Sequence, residues 1–100
     1  MTTRAKVAII TGASSGIGKA AALRLQSAGY DVVLAARRVH ELEEAAAEAC
    51  PRGGRVLVAA CDVTNQSSVK TLFERTRQEF GRLDVLFNNA GIFAQGAPID

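Results

Sequence analysis

Three kinds of chemistry-bearing residue recur in this chain, and none of them is a nucleophile beside a base. Thr11-Gly12-Ala13-Ser14-Ser15-Gly16-Ile17-Gly18 places three glycines and two hydroxyls in one short stretch. Arg37-Arg38 sets two guanidinium groups side by side. Asp62-Val63 and Asn88-Asn89-Ala90-Gly91 supply a carboxylate and two amides, each at the end of an apolar run. Paired guanidinium groups bind phosphate in a bidentate fork. An ionised carboxylate can only accept hydrogen bonds. Glycines let a backbone turn tightly and leave room for a ligand against it. The chemistry on offer is recognition of an anionic, nucleotide-like ligand.

These residues need elements to position them. Lys6-Val7-Ala8-Ile9-Ile10 reads as a strand before the glycine turn, and Lys19-Ala20-Ala21-Ala22-Leu23-Arg24-Leu25 as a helix after it. The turn therefore holds a helix N-terminus at the carboxyl end of a strand. The first N–H groups of a helix lack partners within it, and the peptide dipoles leave about half a positive charge there. A phosphate settles on such donors when no side chain blocks it. The spacing predicts a dinucleotide phosphate site.

The pattern alternates strand and helix to the end. Ile17, Ala21, Leu25 and Ala28 recur at helical spacing, and Gly29 is placed to stop that helix. Asp31–Ala36 is short and apolar enough for a strand buried on both faces. Val39–Cys50 is rich in Glu, Ala and Leu, with Leu42, Ala45, Ala46 and Ala49 on one side. Its Glu41, Glu43, Glu44 and Glu48 read as a solvated face. Pro51-Arg52-Gly53-Gly54 breaks this helix. Arg55–Cys61 is a third strand, and Thr64 is expected to cap a third helix whose core face is Val69, Leu72, Phe73, Thr76 and Phe80. Gly81 stops it, Asp84–Phe87 is a fourth strand, and Ile92–Asp100 reads as loop. This order implies a doubly wound α/β fold of the Rossmann type, with a parallel sheet in strand order 3-2-1-4. Ligands bind such sheets at the carboxyl ends of the strands, where all the polar features fall.

Composition narrows the classes. The chain has 100 residues, 48% of them apolar, and a net charge of +2. That suits one folded domain over residues 1–100. Basic residues are scattered among acids, which argues against nucleic acid as partner. No apolar run is long enough to span a bilayer, and no apolar secretory signal opens the chain, so a cytoplasmic location is expected. Cys50 and Cys61 lie eleven apart with a single histidine, His40. Metal-ligand spacing is absent, and both cysteines read as small packing residues. His40 and Lys19 read as surface residues, although Lys19 could assist a phosphate.

The glycine spacing is G-x-x-x-G-x-G rather than G-x-G-x-x-G. With Thr11 before it, it resembles the cofactor turn of the short-chain dehydrogenase/reductase family. Asn88-Asn89-Ala90-Gly91 looks like that family's N-N-A-G element, and Asp62-Val63 is similar to its adenine-facing acidic position. The three elements stand in the family's order and cover the whole chain. A methyltransferase reading is weaker, because its first turn is more acidic and differently spaced.

The resemblance implies roles. Gly12 would allow the turn, Gly16 the backbone approach to pyrophosphate, and Gly18 the packing of helix on sheet. Ser14 and Ser15 could donate to phosphate or ribose, beside Ile17. Asp62 and Val63 would hold the adenine, and Asn89, Ala90 and Gly91 would line the ribose side. Asn88 would tie neighbouring strands together. An acid at the end of the second strand would hold a ribose 2′-hydroxyl and favour NAD. Ala36 stands there instead, followed by Arg37 and Arg38, so NADP(H) is expected over NAD(H). Ser15 departs from the second basic residue that NADP-preferring relatives often carry at its position.

The family's hydride transfer between nicotinamide cofactor and an alcohol or carbonyl uses a Tyr-x-x-x-Lys pair, an upstream serine and a further asparagine, which lies on the helix after Asn88 and Asn89. The single tyrosine, Tyr30, is followed four residues on by Leu34, so no residue here is a catalytic candidate. The chain looks like the amino-terminal, cofactor-binding part of a longer oxidoreductase, one expected to be a homo-oligomer. It would be inactive alone. A non-catalytic NADP(H)-binding module and an inactive fragment are the alternatives. The first two helices should cover one face of the sheet and the third the other, leaving apolar surface of the first and fourth strands bare. A sticky or oligomeric chain is then expected.

Overall fold

A computed structural model of the chain describes residues 5–14 and 16–88. In chain order the elements are β1 (Val7–Thr11), α1 (Gly16–Ser27), β2 (Asp31–Ala36), α2 (Val39–Ala47), β3 (Val56–Ala60), α3 (Gln66–Phe80) and β4 (Val85–Asn88). The strands form one parallel sheet in the order β3-β2-β1-β4. The expected topology and the expected bounds of β2 are met. The other strand bounds shift by one residue at each end.

The alternation within each strand divides the core. Ala8 and Ile10 of β1, with Val32 and Leu34 of β2, face α1 and α2 and pack with Ala22, Leu42 and Ala45. Val7, Ile9, Val33 and Ala35 point the other way and pack with Leu72 and Phe80 of α3. One face thus carries two helices and the other one, as expected. β1 is nevertheless buried over its whole length. It lies between β2 and β4, and Leu86, Phe73 and Val69 fill in around the α3 face. The expectation of a bare β1 face is therefore wrong, whereas β4 is half-buried throughout. The large apolar residues left exposed among those described are Ile17, Val39 and Leu83. Leu83 precedes β4, at the opposite end of the sheet from Ile17 and Val39.

The local reading needs three corrections. The buried stripe of α1 is Gly18, Ala22 and Gln26, and Ile17 is 72% exposed. Ile17 stands in the first turn of α1, at the carboxyl end of β1, where the helix projects beyond the sheet, so periodicity alone misplaces it. α2 ends at Ala47 rather than Cys50, with a C-cap at Glu48. The cap of α3 is Asn65, whose side chain accepts from Ser68 N–H, and not Thr64. Thr64 is engaged instead by Asp62. Gly29 and Gly81, both at positive φ, end their helices as expected.

Carboxylates tie the amino-terminal ends of the strands. Asp31 accepts from Arg55 N–H at 2.8 Å and pairs with the Arg55 guanidinium at 3.2 Å, joining β2 to β3. Asp84 accepts from Val7 N–H at 2.8 Å, and its own N–H donates to Val7 O, joining β4 to β1. The Arg82 guanidinium beside Asp84, then the Val7 N–H, hold this carboxyl below the usual carboxylate range. At the other end of β1, Thr11 Oγ1 bonds Asn88 Oδ1 at 3.1 Å, opposite it in register, which is the strand-tying role expected of Asn88.

Gln26 is the feature that patterning missed. Its side chain is 1% exposed in a helix face otherwise apolar. Nε2 donates to Cys50 O and to Gly54 O, and Oε1 accepts from Cys50 N–H, all at 2.8 Å. One amide thus satisfies three backbone groups of the α2–β3 connection. Gln26→Leu should cost about 2 kcal/mol, since a net hydrogen bond is worth about 1 kcal/mol and the buried methyls offset part of the loss. A urea midpoint unchanged from the parent would rule out this bracing role.

Candidate functional site: a basic cleft at the carboxyl ends of the strands

The polar residues gather where β1, β2 and β3 end. A cleft of about 260 Å³ opens there between the glycine turn and the start of α2. Gly12 and Ser14 form one wall, and Arg37 and Arg38 another. Ala36, Glu41, Cys61 and Val63 complete it. Of the residues expected at the site, the structure brings Gly12, Ser14, Arg37, Arg38 and Val63 onto this one cleft. Gly16, Ile17 and Gly18 lie on the first turn of α1, beside it. Ser15, Asn89, Ala90 and Gly91 lie outside the described residues.

The glycine turn is built as its spacing suggests. Gly12 has φ 63° and Gly16 φ 60°, a region that side chains with a Cβ rarely occupy. Ala13 N–H donates to Ala35 O at 3.3 Å, fastening the turn to β2. A Cβ on Gly16 would meet no atom within 4 Å, so the space beside it is open. Gly18 is buried, consistent with close packing of α1 on the sheet. No acidic residue stands in the first turn of α1, so the turn itself brings no carboxylate to the positive end of the helix.

Asp62 follows β3 directly. Its Oδ1 accepts from Thr64 N–H at 3.0 Å and from Thr64 Oγ1 at 2.6 Å. Its own N–H donates to Ser68 Oγ at 2.9 Å. These bonds fix the carboxylate in a local turn, and Oδ2 has no hydrogen-bond donor among the described residues. The Thr64 hydroxyl, then the Thr64 N–H, with help from the Arg37 charge, lower its pKa. An ionised carboxylate with one free oxygen is an acceptor for an amino group. Burial pushes the Cys61 thiol up, so Cys61 offers the cleft a neutral wall.

Two side chains depart from their expected surface roles. Glu41 is half-buried and faces the cleft, with Oε2 3.5 Å from Arg38 Nη1, whereas Glu43, Glu44 and Glu48 are exposed. Its place three residues after Arg38, on the first turn of a helix, was the available signal. Lys19 does not reach toward the glycine turn's ligand space. Its Nζ pairs with Glu48 and links α1 to α2. His40 is exposed as expected, with Glu44 3.4 Å away. Tyr30 packs, half-buried, on the α1–α2 side of the core. Among the described residues no group of acidic, histidine or cysteine side chains could hold a metal ion, and no helix is long and apolar enough to cross a membrane.

A parallel sheet in this order, with a glycine turn at positive φ feeding α1 and a basic cleft beside it, defines a Rossmann-type fold. The short chain dehydrogenase family matches residues 6–100, and the chain belongs to that family. An uncharacterized oxidoreductase of Listeria monocytogenes is 48% identical over 92 residues, covering 92% of this chain and 37% of that protein. A metagenomic short-chain oxidoreductase, solved in complex with NADP, superposes with a TM-score of 0.82 at 40% identity, over 89% of this chain and 40% of that one. The L-sorbose reductase of Gluconobacter frateurii, solved with NADPH and L-sorbose, gives 0.81 at 44% identity, over 92% and 35%. The chain thus spans little more than a third of the length of these relatives.

Proposed function

We propose that this chain is the cofactor-holding part of an NADP(H)-dependent oxidoreductase acting on an alcohol or carbonyl. The observation that carries the cofactor preference is the end of β2. Ala36 stands where an acid would repel a 2′-phosphate, and Arg37 and Arg38 line the cleft beside it. The residues fit the whole dinucleotide: Gly12, Gly16 and the N-terminus of α1 for pyrophosphate, Ser14 and Ser15 for hydroxyl donation, and Asp62 with Val63 for adenine. Asn89, Ala90 and Gly91 are assigned to the ribose side by their motif alone. Ile17, 72% exposed at the start of α1, is free to pack against the bound cofactor. The NADP and NADPH held by the two solved relatives support the same reading for this chain.

When bound, the nicotinamide supplies the hydride donor or acceptor. The chain's own residues hold and orient it, and among the described residues none is placed to polarise a carbonyl or move a proton. Turnover therefore requires residues of the longer family fold, and the chain alone is inactive. Isothermal titration of the chain should give NADPH at least about tenfold tighter than NADH, the difference one charge-assisted contact makes. Equal affinities would end the NADP assignment, and failure of both would end the cofactor reading.

A further inference from the structure

We propose that Glu41 is a specificity-tuning residue of the basic cleft, one that competes with a 2′-phosphate for Arg38 and so narrows the preference for phosphate over hydroxyl. The proposal rests on the cofactor reading above.

Glu41 is the third residue of α2 and the acidic residue of its first turn. Alone among the glutamates of that helix it is half-buried and faces the cleft, on the same wall as Arg38. Its Oε2 lies 3.5 Å from Arg38 Nη1. Arg38 is also the N-cap of α2, and its side chain makes no capping hydrogen bond. The positive end of α2 and two guanidinium groups therefore meet in one cleft, with the Glu41 carboxylate on its wall beside Arg38 and the Asp62 carboxylate, whose ionised form Arg37 favours, at the end of β3.

Glu41 acts differently on the two ribose forms. A 2′-phosphate drawn to Arg38 is repelled by the Glu41 carboxylate, 3.5 Å from that guanidinium. A 2′-hydroxyl is neutral and can donate to Glu41, because a carboxylate accepts and does not donate. The alternative role, in which Glu41 holds Arg38 ready for the phosphate, needs a tight pair. At 3.5 Å, with the side chains 80% and 40% exposed, the pair is too loose to fix a long side chain. Competition is the stronger effect.

The test compares 2′,5′-ADP with 5′-AMP, which carry the same adenosine with and without the 2′-phosphate. Glu41→Gln keeps the shape and the helix-start preference of the side chain and removes its charge. Its ratio of 2′,5′-ADP to 5′-AMP affinity, measured by titration at low salt, should rise about fivefold. A unit charge a few ångströms away in a wet cleft is worth roughly that factor. Glu41→Asp, with the carboxylate drawn back toward the helix, should fall between the two and serves if the glutamine variant folds poorly. A ratio unchanged in both variants overturns the proposal, and a lowered ratio shows that Glu41 positions Arg38 instead. If the parent chain binds 2′,5′-ADP no better than 5′-AMP, the NADP reading fails, and the proposal with it. Parent selectivity without a response to Glu41 leaves the NADP reading standing and removes only the proposal.

Discussion

Removing both guanidinium groups, Arg37→Ala together with Arg38→Ala, is expected to weaken NADPH binding about 100-fold while changing NADH binding less than about threefold. Both side chains line the cleft, and both are exposed at its rim. A buried guanidinium–phosphate contact would be worth more, but solvent screens this pair, so about tenfold for each is the reasonable scale. The loss should shrink as salt is raised, because the contacts are charge with charge. Arg37 also stabilises the ionised form of Asp62, so a small effect on adenine binding is shared by both cofactors. The measurement is a pair of titrations, NADPH and NADH, at two ionic strengths. Equal losses for the two would mean that the arginines serve the common adenosine or pyrophosphate, and the 2′-phosphate assignment would fall.

How far this cleft could be read beforehand follows from what kind of interaction builds each part. The sheet order and the glycine turn depend on local pattern: apolar runs, helix formers and glycines whose positive φ has a sequence signature. Those were legible, and so were Arg37, Arg38 and Val63 at strand ends. Glu41 and Gln26 were not, because their roles come from where the chain folds back. Glu41 looks like its exposed neighbours until α2 is laid against the end of β2. Gln26 sits in an apolar helix stripe and is explained only by the α2–β3 connection passing over it, 24 residues away at Cys50. Patterning sets the cap one residue too early, at Thr64, because both Thr64 and Asn65 have capping side chains. The Thr64 hydroxyl is taken by Asp62, which leaves Asn65 to cap. The same competition converts Asp62 from a plain turn residue into a fixed acceptor at the end of β3, between the cleft residues Cys61 and Val63.

The largest effect on folding is expected at Gly54. A Cβ there would lie 1.9 Å from Tyr30 O, 2.4 Å from Tyr30 C and 2.9 Å from Asp31 N. All three are backbone atoms at the entry to β2, so no side-chain rotation relieves the clash. Gly54 is also held on both sides of its peptide, N–H to Gln26 O at 2.9 Å and O to Gln26 Nε2 at 2.8 Å. Moving it breaks the Gln26 brace and shifts the start of β3, where Arg55 N–H meets Asp31. Gly54→Ala should therefore cost at least about 4 kcal/mol, beyond the usual range for overpacking, because backbone rather than side chain has to yield. Gly29→Ala separates this from a loss of backbone freedom. Gly29 has φ 104° and nothing within 4 Å of an added Cβ, so only backbone strain of about 1–2 kcal/mol is expected there. Urea denaturation followed by far-ultraviolet circular dichroism ranks the two. If Gly54→Ala unfolds no more easily than Gly29→Ala, the close approach of the α2–β3 connection to β2 is wrong. With it would go the placement of α2, and hence of Glu41, against the basic cleft.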